Sequence, residues 1–142
     1  MEVSSPGRIC LFGEHQDYLG LPVIAMAMNL RLRINGQKRN DKKIVINLPD
    51  IGKSESFILG DSYHEKPSNI FQSGIKVCIE DGLSFTKGFE AEIISEIPIQ
   101  AGAGSSSALM VTWINFLSQL ADIPIKWNNE KIAKLAYKAE VL

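Results

Sequence analysis

Apolar and polar residues alternate strictly along Leu30-Arg31-Leu32-Arg33-Ile34 and again along Phe89-Glu90-Ala91-Glu92-Ile93. A period of two is the signature of a half-exposed strand, and the second segment runs on towards Ile97-Pro98. Arg8-Ile9-Cys10-Leu11-Phe12 is a shorter apolar run between Pro6-Gly7 and Gly13, as expected of a buried strand. A polar turn from Glu14 to Gly20 and an apolar stretch from Leu21 to Met28 follow it. Lys43 to Leu48 and Ser54 to Leu59 read as strands joined by a turn at Pro49-Asp50-Ile51-Gly52. The front half is thus expected to be a run of strands in hairpins. Lys38-Arg39-Asn40-Asp41-Lys42-Lys43, interrupted by turn-forming Asn-Asp, is expected to be a solvated hairpin tip.

The period then lengthens. Ile70, Phe71, Gly74, Ile75, Cys78 and Ile79 recur at helical spacing, with Ser68 as the expected N-cap and Gly82 as terminator. Met110, Trp113, Ile114, Leu117 and Ala121 form one stripe of a second helix, with Leu109, Phe116 and Leu120 alongside, so this helix is expected to be largely buried. A third begins near Asn128-Asn129, with Ile132, Leu135, Ala136 and Ala139 inward and Lys131, Lys134 and Lys138 outward. Its pattern is still running at Leu142 with no closing glycine, and reads as cut rather than finished. The expected fold class is α+β, one domain over residues 1–142, with self-association through an apolar face that such a cut leaves exposed.

Composition narrows the function classes. The 142 residues are 45% hydrophobic and 22% charged, with a net charge of -1. That balance gives no footprint for nucleic acid or an anionic membrane. The most apolar segment, Ala108 to Ala121, carries Thr112, Asn115, Ser118 and Gln119, and is too short and polar to span a bilayer. Cys10 and Cys78 lie far apart among apolar neighbours and belong to no metal or redox motif. They read as core thiols, and with no signal peptide at the start, the expected location is the cytoplasm.

Two segments carry candidate chemistry. Gln100-Ala101-Gly102-Ala103-Gly104-Ser105-Ser106-Ser107 joins a strand to the buried helix. The first turn of a helix leaves N–H groups unpaired at its positive end, and small residues let phosphate oxygens approach them. There is no lysine for a Walker A loop and no G-x-G-x-x-G spacing. A small-residue turn with a serine N-cap fits the same segment. The other segment, Pro6 to Tyr18, delivers Arg8, Glu14, His15 and Asp17 around Gly13. Paired carboxylates suit a polyol, and an arginine nearby suits a transferring phosphoryl group. Taken singly, Arg8 and Glu14 also fit an ordinary ion pair, His15 a packed histidine, and Asp17 to Gly20 a turn.

Together these segments resemble the GHMP kinases, the superfamily of galactokinase, homoserine kinase, mevalonate kinase and phosphomevalonate kinase. Pro6-Gly7-Arg8 with Gly13-Glu14-His15-Gln16-Asp17-Tyr18 is similar to the galactokinase signature, where threonine usually stands at Gln16. Pro98 to Ala108 is similar to the family's phosphate loop, in a length nearer the mevalonate or homoserine kinase form. The resemblance implies the GHMP N-terminal domain, a fold similar to the second domain of ribosomal protein S5. It implies ATP and Mg2+ as cofactors and a small-molecule sugar as acceptor. Arg8 would assist phosphoryl transfer, and Glu14, His15 and Asp17 would contact sugar hydroxyls. Gly102, Ala103, Gly104, Ser105, Ser106 and Ser107 would hold the triphosphate, with Ser106 or Ser107 on magnesium. A mevalonate-type kinase and a non-catalytic sugar and ATP sensor are the alternatives. No acidic residue here matches the family's catalytic aspartate, so the 142-residue chain alone is expected to show no turnover.

Overall fold

Five strands are laid down in the order β1 (Glu2–Phe12), β2 (Ile24–Lys38), β3 (Lys43–Leu48), β4 (Lys53–Ile58) and β5 (Phe89–Ser95). Helix α1 (Ile70–Glu80) precedes β5, and α2 (Ser105–Leu120) and α3 (Asn129–Glu140) follow it. The computed structural model describes residues 1–12, 24–60, 69–97 and 105–141. The α+β class is as expected.

The strands form one sheet in the order β1-β2-β5-β3-β4. β5 runs antiparallel to β2 and parallel to β3, so it lies between two strands that are consecutive in sequence. The segment from Lys38 to Lys43 is therefore not a hairpin tip. It bridges the width of β5, with Arg39 N–H donating to the Gly88 carbonyl (2.8 Å) and Gly88 N–H to that of Asp41 (2.6 Å). The physical reason is burial: in the centre, Phe89, Ala91 and Ile93 are flanked by Ile34 on one side and Ile44 and Ile46 on the other, all within the core.

β1 is longer than the apolar run that announced it. It begins at Glu2 and passes through Pro6, with a register shift between Pro6 and Arg8. A proline is tolerated because β1 pairs only with β2, and an edge strand need not donate on both sides.

The helices cover one face of the sheet. Trp113 and Phe116, both fully buried on α2, stack with ring centroids 5.7 Å apart. Phe89 of β5 meets both rings at 5.8 Å, and Phe71 of α1 meets Trp113 edge-on at 5.2 Å. The indole N–H is satisfied by the Phe71 carbonyl at 3.1 Å. The opposite face is polar: Arg33 lies between Glu2 and Glu96, and Gln37 donates to Glu90.

Helix ends follow capping chemistry, with one correction. Asn69, not Ser68, caps α1: its extended backbone lets its side-chain oxygen accept from Gln72 N–H at 2.9 Å. Its amide Nδ2 simultaneously donates to Glu55 of β4 (3.4 Å), a second bond that a serine hydroxyl could not direct the same way. At the other end Gly82 has φ 107°, and its N–H bonds the Ile79 carbonyl while Leu83 N–H bonds that of Cys78. This closing motif needs the left-handed residue that glycine supplies, and buried Leu83 packs beneath it. Asn128 caps α3 by accepting from Lys131 N–H. That helix is described to Glu140, and the Val141 N–H donates to the Tyr137 carbonyl at 3.2 Å.

Of the two cysteines, Cys78 has a described side chain, and it is buried. Loss of solvent, reinforced by the Asp81 charge, pushes its thiol up to about 12. It is a core thiol, as its neighbours implied.

Candidate functional site

Both candidate segments adjoin described elements, β1 and α2. Two contacts fix how those elements run past each other. At the start of β1, Met1 bonds Gly36 of β2, and Phe116 presses on that glycine so closely that a Cβ there would lie 2.8 Å from its ring. Four residues further along β1, Ser5 reaches the Ala108 carbonyl at 3.1 Å and the Thr112 hydroxyl. Moving forward along β1 therefore means moving backward along α2. The strand's exit and the helix's N-terminus lie towards the same end of the sheet.

Arg8 is in β1 beyond Ser5, its backbone paired with Ala27 of β2. Ser105, Ser106 and Ser107 open α2, and Ser107 is half-buried. Glu14, His15, Asp17, Gly102, Ala103 and Gly104 lie outside the described residues, as do the side chains of Arg8, Ser105 and Ser106.

The start of α2 suits an anion. Its first turn has no acidic side chain, so nothing of its own neutralises the partial positive charge there. Among the described residues no group of three or more His, Cys, Asp and Glu side chains could hold a metal. Beside this region a cavity of about 370 Å³ is lined by Ser5, Pro6, Arg31, Thr112, Asn115 and Asn129, among others. A shallower one of about 400 Å³, lined by Asn35, Gln37, Asn47, Glu90 and Glu92 among others, opens on the polar face away from both segments.

Ser5 and Thr112 were not among the candidate site residues read from the sequence. A signal existed for one of them: Thr112 interrupts an otherwise apolar helix and is 1% exposed, and a buried polar group must find a partner.

With this geometry in view, two family matches acquire a place. The GHMP kinases N terminal domain matches residues 69–142, and the galactokinase galactose-binding signature matches residues 1–38. The chain belongs to the GHMP kinase family.

Within that family it is similar to proteins of two kinds. The mevalonate kinase of Pyrococcus furiosus is 34% identical over 149 residues, covering 98% of this chain and 44% of the relative. The crystal structure of Methanococcus jannaschii mevalonate kinase superposes with a TM-score of 0.86 at 28% identity, covering 99% of this chain and 45% of that one. The structure of Lactococcus lactis galactokinase complexed with galactose gives 0.79 at 30% identity, covering 98% and 37%. The chain thus spans less than half the length of each. Among the described residues no helix is long and apolar enough to cross a membrane.

Proposed function

We propose that this chain forms the N-terminal, nucleotide-binding part of an ATP-dependent small-molecule kinase, and that the acceptor is a sugar hydroxyl. The observation that carries the reading is that β1 and α2 run antiparallel, so the stretch of β1 that holds Arg8 and the start of α2 lie towards one end of the sheet. In this arrangement N–H groups at the start of α2 receive the triphosphate, with Ser105, Ser106 and Ser107 adding hydroxyl bonds. Magnesium would offset phosphate charge, with Ser106 or Ser107 contributing a ligand. Arg8, on the strand leading to the acceptor segment, offsets charge on the transferring group. Glu14, His15 and Asp17 accept from and orient the sugar hydroxyls.

The sugar assignment draws on the galactose-binding signature, which spans the segment that holds Glu14, His15 and Asp17. A second reading, a mevalonate-type acceptor, is favoured by the similarity to mevalonate kinases over nearly the whole chain. Thermal-shift titration of the protein with galactose, other hexoses, pentoses and mevalonate, each with and without Mg·ATP, separates the two. Stabilisation by a sugar is the expected result; stabilisation by mevalonate alone would overturn the sugar reading. No response to Mg·ATP under any condition would overturn the kinase reading itself.

A further inference from the structure

Thr112 is buried on α2, and Ser5 is half-buried on β1, more than a hundred residues away in sequence. Their hydroxyls are in hydrogen-bond contact, and both converge on the Ala108 carbonyl, Thr112 at 2.6 Å and Ser5 at 3.1 Å. Two hydroxyl protons serve three contacts, and one assignment satisfies them all. Thr112 donates to Ala108, while Ser5 donates into the pair formed by the Ala108 carbonyl and the Thr112 oxygen. A threonine bonding back to the carbonyl four residues earlier is ordinary helix chemistry. The addition of a serine from another element makes it a tie between them.

The position of this tie gives it meaning. Ala108 is the fourth residue of α2, one turn from Ser105, and Ser5 stands three residues before Arg8. Further along α2, attachment to the sheet is by apolar side chains such as Phe116 and Leu117, which resist separation but set no unique register. The hydroxyl tie is directional, and so fixes both the rotation of the first turn and its height along β1.

We infer that Ser5 and Thr112 are positioning residues that hold the start of α2 in register with β1, and so set the geometry of the nucleotide site relative to the strand that carries Arg8. This rests on the reading of the α2 start as that site. Neither residue touches substrate in this scheme. Both act through the backbone of Ala108.

The test uses Thr112→Val, which keeps shape and removes the hydroxyl, Thr112→Ser, which keeps it, and Ser5→Ala on the opposite element. Ser118→Ala is the control: Ser118 is equally buried on α2, but its hydroxyl bonds only the Asn115 carbonyl of its own helix (2.7 Å). Mg·ATP affinity is measured by calorimetry, and amide exchange is followed along α2. Thr112→Val and Ser5→Ala are expected to weaken Mg·ATP binding by about tenfold, with Thr112→Ser near wild type and Ser118→Ala unchanged. Exchange of the Leu109 to Thr112 amides should rise in Thr112→Val and Ser5→Ala relative to those from Trp113 to Leu120. Equal effects of Ser118→Ala and Thr112→Val on binding would overturn the inference. If the wild-type protein bound no Mg·ATP, the nucleotide reading would fall by itself. The exchange pattern would still decide the tie, and protection unchanged in both Thr112→Val and Ser5→Ala would sink it.

Discussion

The two halves of α2 are both held by apolar burial, to which the first half adds a hydroxyl bridge to the sheet. From Trp113 onwards the helix is fixed by buried rings and aliphatic side chains, including Phe116, Leu117 and Leu120. Before Trp113, Ala108 and Met110 are also buried, and a hydroxyl bridge from Ser5 to Thr112 and Ala108 is added to them. Apolar burial contributes about 25 cal/mol per Å², whereas a single hydrogen bond contributes about 1 kcal/mol net. The bridge itself therefore has little to do with stability and much to do with placement. The stacked rings lie away from the motif end, and direction is added near it.

The largest test of this division is Trp113→Ala. The side chain is fully buried, touches three aromatic rings and is bonded through its indole N–H. Loss of about 3–5 kcal/mol is expected by urea denaturation. A loss below about 1 kcal/mol would break the claim that the stacked rings of this half are a main source of stability. Next comes Gly36→Ala, whose new Cβ would lie 2.3 Å from the Glu90 carbonyl oxygen and 2.8 Å from the Phe116 ring. Because a backbone atom is in the way, the strands must move apart, at a cost of about 1–3 kcal/mol. An unchanged melting temperature would show that β2 and α2 are more loosely apposed than described.

Smaller effects belong to elements outside α2. Asn69→Ala removes the α1 cap and the bond to Glu55, with an expected loss of about 1 kcal/mol. Asn69→Ser should recover part of it, and full recovery would remove the role given to the Glu55 contact. The smallest effect is a pH dependence on the β2–β3 connection. Asp41 accepts from the Arg39 guanidinium and from Lys43 N–H, and these bonds bring its carboxyl from an ordinary 3.8 down to about 2. A depressed folded-state value means the contribution is complete above the ordinary value and vanishes as pH falls through about 2. Asp41→Asn should flatten melting temperature against pH within that window and leave it unaltered near neutrality. An identical acid limb in the variant would assign it to other carboxylates, such as Glu96, which Arg33 also holds low.

What could be read from the chain alone follows the range of the forces involved. Period and capping are local, so the alternation at Leu30 to Ile34 and at Phe89 to Ile93, the stripe on α2 and the start of α3 near Asn128-Asn129 were all legible. The α1 cap was misplaced by one residue because Ser68 and Asn69 are both good caps, and the choice rests on a contact with Glu55 in another element. The strand order was not legible. Nothing near Lys38 to Lys43 announces that a strand from about fifty residues on will lie between its flanks. For the site, Arg8 and the serines of α2 were marked by motif, and the antiparallel run of β1 and α2 brings their elements together. The Ser5–Thr112 bridge was invisible because each residue is ordinary in its own segment, and only the fold makes them a pair.

The central place of β5 also constrains how this chain is made. β2 and β3 are complete by Leu48, but the strand that joins them ends at Ser95. During synthesis at about 5–20 residues per second, both strands wait several seconds with an unpaired edge each. Such edges are templates for pairing with other chains. The exposed Lys38, Lys42 and Lys43 beside them place like charge where two nascent copies would otherwise meet.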